Sequence, residues 1–432
     1  MIKYYLLIAT GLILFSCATI PDSSLLQNKT VIASSPGINW GYPKKERLNQ
    51  DLFIESGLKV LRIDFFWSRL EKIQGEWDFR ELDYFCNYAK QNNFKIVGVL
   101  AYDTPWIHGD TKGLREISSE NLKHYLNYVE VVVDRYKDFV MEWEVWNEPN
   151  TWGKRFWTGT DKEFFDMTKA TVDVIHNIDN DAFVLAGSFW RYDTSFIKNM
   201  FKSGALDNAD AVSFHPYEIT PKGTYNTSYK IMELCRNLGF KGEFRITEVG
   251  FPTGGYYPTK SSEEGQGRYY LETVNYLNYL NLPYTIWYTL GNSADFNPKD
   301  SEEQFGLFLV GEFNQYEYKT GGWAFRRYSE LISGKILVAN STQVDKKLTN
   351  KIIISTYITT LDSKDVTLLL IGNTKEKDLV LEGFESGTIY NCSTGEIKKY
   401  NPGDRLILLK DEPLIVVSNS INSTGIIISP FI

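Results

Sequence analysis

Residues 139–146, FVMEWEVW, make an extended, largely apolar run, and the chain leaves it through NEPN at 147–150 into the loop-like TWGKRFWTG at 151–159. A buried strand ending on Glu148 sets a carboxylate where the chain leaves the core: an exposed loop charge, or half of a catalytic pair. Similar runs lie on both sides. GINWGY (37–42), KVLRIDFFW (59–67) and KIVGVLAY (95–102) precede it; AFVLAGSF (182–189), DAVSFHPY (210–217), EFRITEVG (243–250) and YTIWYTL (284–290) follow. Helical patterns separate them, as in DFRELDYFCNYAKQNN (78–93), where Asp78 and Glu81 have capping-box spacing and Phe79, Leu82, Phe85 and Ala89 form one stripe. SEEGQGRYYLETVNYLNYLN (262–281) and GGWAFRRYSELISG (321–334) behave alike.

Eight strands, each followed by a helix-length segment over about 300 residues, are what an α/β fold of the (β/α)8 TIM-barrel type requires. A doubly wound open sheet is the competitor, but no Gly-rich phosphate loop follows the first strand. The barrel predicts function at the carboxyl ends of the strands. Past about residue 335 the pattern changes to short β-rich runs such as KIIISTYITTL (351–361), DVTLLLIGN (365–373) and PLIVVSN (413–419), separated by turns and without helix. These read as a small C-terminal β-sandwich. The expected division is 1–17 signal segment, 18–35 tether, 36–335 barrel and 336–432 sandwich.

The first 17 residues, MIKYYLLIATGLILFSC, carry a lysine at position 3 and an apolar run from Leu6 to Phe15, too short to span a bilayer. The ending Leu14-Phe15-Ser16-Cys17 resembles a bacterial lipobox, which implies lipidation of Cys17; an ordinary signal peptide cut slightly later is the alternative. Either way the protein is expected to be exported, at the cell envelope or secreted, with the membrane touched only through that anchor. Cys86, Cys235 and Cys392 are then an odd number with no metal-like spacing, and no disulfide framework is expected. The net charge of −8 argues against nonspecific nucleic-acid binding. Aromatic residues make up 15% of the chain, with 11 Trp, 27 Tyr and 26 Phe, enough to fill a core and still line a sugar cleft. The four histidines, His108, His124, His176 and His215, are scattered, so neither a metal nor another cofactor is implied. No G-x-S-x-G elbow appears. A monomer is expected.

The partner for Glu148 is in FRITEVGFPT (244–253), where Glu248 stands in similar company. Glu148 ends the fourth strand and Glu248 the seventh, so the two face each other obliquely across the barrel mouth. Such a pair suits glycoside hydrolysis, in which one carboxyl protonates the leaving oxygen while the other stays ionised. Carboxyls about 5–5.5 Å apart make the second a nucleophile; a wider gap admits water and inverts configuration.

WNEPN at 146–150, ITEVGFPT at 246–253 and SFHPY at 213–217 together resemble clan A of the glycoside hydrolases, and are most similar to family 39 and its polysaccharide-degrading relatives. The resemblance implies a retaining enzyme with Glu148 as acid/base and Glu248 as nucleophile. It also implies that Asn147 meets the sugar 2-hydroxyl and that Arg62 orients Glu248 and holds it ionised. Tyr217 would donate to the nucleophile, His215 would shape the floor, and Trp287 would be the stacking wall under the sugar.

Plainer readings stand beside these. Arg62 could be a structural ion pair with Glu144, His215 a supporting histidine, and Trp287 core. His108, in TPWIHG (104–109), is either a substrate contact or a loop histidine, and Trp106, Trp152 and Trp157 are either subsite platforms or packing. His124 and His176 lie in helical segments and read as structural. Lys154 and Arg155 either meet an acidic sugar or are solvated. The expected partner is a poly- or oligosaccharide, cleaved through a glycosyl ester on Glu248. The alternatives are a catalytically silent glycan-binding lipoprotein and a transglycosylase that uses the same intermediate.

Overall fold

The structure, a computed structural model, describes residues 31–41, 50–109, 115–256, 260–293, 297, 299–311, 315–338, 342–344, 348, 351–361, 365–372, 376–418 and 426–430. The signal segment, Cys17 and the tether up to residue 30 lie outside the described residues.

Eight parallel strands close into a barrel: β1 (Ser35–Gly41), β2 (Val60–Asp64), β3 (Lys95–Leu100), β4 (Val140–Val145), β5 (Val184–Trp190), β6 (Ala211–His215), β7 (Glu243–Val249) and β8 (Tyr284–Tyr288). A helix follows each: α1 (Gln50–Glu55), α2 (Arg80–Gln91), α3 (Leu122–Tyr136), α4 (Asp161–Ile178), α5 (Thr194–Lys202), α6 (Pro221–Asn237), α7 (Gln266–Asn278) and α8 (Thr320–Leu331). Alternate residues point into the barrel. Val60, Val97, Leu185, Ala211, Tyr284 and Ile286 form one apolar cluster in its interior. Beneath them Arg245 is held by Glu142 at 3.0–3.1 Å, and Tyr284 donates to the same carboxylate. The outward residues pack under the helices; Leu82, Phe85, Cys86 and Ala89 of α2 are buried there.

The capping box expected at Asp78 does not form. Asp78 is taken by the side chain of Arg80, at 2.9 and 2.7 Å, and α2 starts from Phe79 without a side-chain cap. A reciprocal box does form at α4, where Thr160 Oγ1 accepts from Glu163 N and Glu163 accepts from Thr160 N.

A second body follows the barrel. One sheet runs in the order Val31–Ile32, Ile336–Val338, Ile352–Ile358, Val366–Gly372, Leu414–Ser418, Gly387–Asn391, Ile397–Tyr400; the other runs Thr342–Val344, Ile426–Pro430, Glu376–Glu382, Leu406–Leu409. Leu368, Leu370, Leu379, Leu381, Leu408 and Val416 are buried between them, which makes the sandwich. Val31–Ile32, within the stretch read as a tether, pairs antiparallel with Ile336–Leu337, so the chain enters β1 directly from the sandwich sheet. Cys86, Cys235 and Cys392 are buried free thiols. Among the described residues no helix is long and apolar enough to cross a membrane.

Candidate active site

The site lies at the carboxyl ends of the barrel strands. At the end of β4 the backbone turns left-handed twice, with φ 64° at Trp146 and φ 44° at Glu148; Ser188 at the end of β5 has φ 46°. Non-glycine residues adopt such angles only where their surroundings hold them, and these clusters mark functional sites. Here the turn is held by Trp146 N donating to Leu100 O at 3.2 Å and Glu148 N donating to Ser188 O at 3.1 Å. It swings the Glu148 side chain inward instead of out with the loop.

Glu148 Oε1 lies 2.8 Å from His215 Nδ1, and Glu148 Oε2 accepts from Thr151 Oγ1 at 3.1 Å. His215 Nε2 is 3.1 Å from Thr247 Oγ1, which itself donates to Glu144 Oε1 at 2.7 Å. Because the threonine proton is committed to Glu144, its oxygen accepts from the ring; Nε2 carries a hydrogen and Nδ1 is the nitrogen that faces Glu148.

Glu248 is reached from β1, β2 and the segment just after β6. Its Oε1 accepts from the Tyr217 hydroxyl at 2.6 Å, and its Oε2 accepts from Asn39 Nδ2 at 2.7 Å and Arg62 Nη1 at 3.2 Å. The same guanidinium donates through Nε to Glu144 at 2.6 Å and through Nη2 to Asn147 Oδ1 at 2.8 Å. Arg62 therefore fills both roles considered for it, structural pair and orienter. Burial raises the Glu248 carboxyl above its ordinary value and the Glu148 charge adds to that, while His215, Arg62 and Tyr217 oppose it. Burial also works to raise Glu144, but Arg62, His215 and the Thr247 hydroxyl outweigh it and hold that carboxyl below its usual range. Asp64, half-buried beside Arg62, is pushed up to about 6 by burial, which outweighs the opposing Arg62 charge, with the charges of Glu248 and Glu144 adding to the rise.

Glu148, His215 and Glu248 bring one donor atom each within 4.8 Å of one another. That spacing would suit an ion, yet each of these side chains already has a protein hydrogen-bond partner. It is also the spacing of a close carboxyl pair.

Not every expected residue converges here. Trp287 is 1% exposed and faces the helices, packed against Tyr270 at 5.2 Å and Phe251 at 6.1 Å, with Nε1 donating to Phe305 O. It is core, not a stacking wall, because Tyr284 and Ile286 take the inward parity of β8. The inward residue that follows them, Tyr288, stands near Glu248 and donates to Glu302 at 3.4 Å. Trp106 is half-buried against Trp67 and His124 and donates to Glu71 O at 3.0 Å, and Trp157 is buried on Trp146; both are packing. His108 is paired with Asp103 at 2.7 Å on the loop after β3. His124 packs on Trp106 and His176 meets Asp210 at 3.1 Å, both structural. Arg155 pairs with Glu302 at 3.3 Å and Lys154 binds loop carbonyls at 3.2 Å. Trp152 is exposed.

Sequence reading passed over Asn39, Asp64, Thr247 and Tyr288. Asp64 shared the parity of Arg62, and Tyr288 that of Tyr284, so strand alternation alone could have found both. Tyr102, at the loop after β3, stacks with Phe66 at 5.7 Å and with Phe156 at 5.8 Å, with Arg115 over its ring at 4.7 Å.

Comparison with known proteins bears on this geometry. The family model for cellulase (glycosyl hydrolase family 5) matches residues 24–293. Among solved structures, the chain is similar to a family 39 glycoside hydrolase from the gut symbiont Bacteroides cellulosilyticus WH2, with TM-score 0.70, 17% identity, and 89% of this chain and 80% of that one covered. A glucosidase from Croceicoccus marinus aligns with TM-score 0.68 and 13% identity over 90% of this chain and 96% of its own. A monomeric beta-xylosidase from Caulobacter crescentus CB15 aligns with TM-score 0.66 and 13% identity over 91% and 97%. At these identities the structural likeness speaks to the fold alone. The motifs resemble family 39 while the matching family model is family 5, and both fall within clan A.

Proposed function

The chain belongs to the cellulase family, glycosyl hydrolase family 5, and from that premise we propose that this glycosidase cleaves a poly- or oligosaccharide with retention, by double displacement through an ester on Glu248. The observation that carries the reading is the spacing of Glu148 and Glu248, whose nearest oxygens lie within 4.8 Å. Oxygens that close favour the retaining arrangement, whose carboxyl groups stand about 5–5.5 Å apart, over the about 6.5–9.5 Å that leaves room for water.

In the first step a Glu248 oxygen attacks the anomeric carbon while Glu148 gives its proton to the glycosidic oxygen, and the carbon–oxygen bond breaks. In the second, water attacks the same carbon, Glu148 takes the water proton, and the Glu248 ester bond opens. The three donors on Glu248 favour its ionised form, which the attack needs. Asn147 is held by Arg62 through its carbonyl oxygen, leaving its N–H2 end to donate to the sugar 2-hydroxyl. Tyr288 replaces Trp287 as the aromatic beside the sugar.

A 2-deoxy-2-fluoro glycoside of the cleaved sugar is expected to leave one mass adduct, on Glu248. With Glu148→Ala, turnover of natural substrates should fall about 10²–10⁴-fold; on a glycosyl fluoride, whose leaving group departs without a proton, added azide should speed turnover and give a glycosyl azide of retained configuration. An adduct elsewhere with Glu248→Ala fully active, or an inverted azide product, would sink the assignment. We further propose that the enzyme is exported and held at the cell envelope by lipid on Cys17, on the strength of the first 17 residues. Palmitate labelling lost in Cys17→Ala tests this.

A further inference from the structure

The loop after β4 is tied at its base and again at Arg155, which pairs with Glu302 at 3.3 Å. Trp146 Nε1 donates to Phe156 O at 2.8 Å, Trp157 Nε1 donates to Thr160 O at 3.0 Å, and the Lys154 ammonium holds the carbonyls of Thr158 and Gly159 at 3.2 Å. The loop's other aromatics are thus packed, but Trp152 is 86% exposed. An indole left in water on a well-tied loop forgoes the burial that usually accounts for a tryptophan, and its broad apolar face is of the kind that stacks on a sugar ring.

Two contacts say which side of the site it serves. Thr151, its neighbour, sets its Oγ1 within hydrogen-bond reach of both Glu148 O at 2.8 Å and Glu148 Oε2 at 3.1 Å. Asn150 clamps Trp190 at 2.8 and 3.0 Å, joining this loop to the one after β5, where Tyr192 is 41% exposed. The carboxyl that protonates the glycosidic oxygen faces the departing sugar, whereas the nucleophile faces the anomeric carbon. A loop tied to Glu148 therefore borders the leaving group.

We propose that Trp152 is the stacking platform for the leaving-group pyranose, so that the enzyme reads sugar beyond the cleaved bond and favours chains over simple glycosides. This rests on the assignment of Glu148 as the acid. In the ester stage the same platform would hold an incoming sugar, which raises the share of transglycosylation over hydrolysis.

The test compares a departing sugar with a departing group that has no ring. Wild type, Trp152→Ala and Trp152→Phe are assayed on hexasaccharides of the xylo, cello, manno and β-1,3-gluco series and on the matching mono- and disaccharide fluorides. Trp152→Ala is expected to lower kcat/KM on the hexasaccharide about tenfold while changing it less than about twofold on the fluoride. Trp152→Phe, which keeps an aromatic face, should recover most of the loss. Equal losses on both substrates, or no loss on the hexasaccharide, overturn the platform and leave the glycosidase reading intact. A wild type inert on every pair removes that reading and the platform together.

Discussion

Arg62 shows how one residue sets a site. Its three nitrogens go to Glu144, Glu248 and Asn147, so a planar fork orients three side chains at once, which a lysine cannot do. Asp64 lies on the same strand face. Burial raises its carboxyl from 3.8 to about 6 in the folded protein, so between those pH values the folded state binds more protons than the unfolded one. Stability attributable to Asp64 then falls as pH rises from about 4 to about 6 and is level above, by about 2–3 kcal/mol in all. Asp64→Asn removes the titration. Measured by denaturant unfolding, the stability of Asp64→Asn relative to wild type should improve by about that amount between pH 4 and pH 7. A difference that stays constant with pH would show that Asp64 does not titrate in this way.

At the scale of the element, what sequence made legible was the alternation of strand and helix and the two carboxylates, since apolar runs of strand length and the NEP and TEV strings are local. What it hid was which way residues point at strand ends. Inside β8 the parity is regular, and its register turns Trp287 to the helices and Tyr288 to the barrel mouth. In β7 the register shifts between Ile246 and Val249, and in β1 between Asn39 and Gly41. At the β7 irregularity successive residues reach one site: Thr247 keeps the inward parity of Arg245, and Glu248 beside it enters as well, which alternation cannot reveal. Asn39, paired with Arg62 ahead of the β1 shift, is inward by alternation and meets Glu248. The capping box failed for a similar reason, since Arg80 competed for Asp78 through contacts that spacing does not show. The corrected facing of β8 is itself testable. Trp287→Ala opens a hole in the layer under α7 and should cost about 3–5 kcal/mol of stability. Tyr288→Ala should instead leave the melting temperature nearly unchanged and lower kcat/KM. The reverse pattern would restore Trp287 to the cleft.

For the whole molecule, the question is whether the sandwich is an accessory or part of one folding unit. The buried core of the barrel runs on without a break into Tyr357, Leu369, Ile371 and Ile415 of the sandwich. Polar groups are shared as well. Asn278 of α7 accepts from Ser34 N and Oγ at 3.0 Å each and donates to the Tyr357 hydroxyl at 3.3 Å, and that hydroxyl donates to Asn275 at 2.8 Å. Arg268 of α7 meets Asp411 at 3.2 Å, and Lys335 meets Thr367 at 2.7 Å. Separating the two bodies would strand these groups and open apolar surface on both, so neither has a cheap way to unfold first. Calorimetry of the full chain should therefore give one cooperative transition. Tyr357→Phe, which leaves Asn275 and Asn278 short of a partner at the junction, should weaken it by about 1–3 kcal/mol while keeping it single. The barrel and the sandwich would have to be separate units if two peaks appeared and Tyr357→Phe moved only the one belonging to the sandwich.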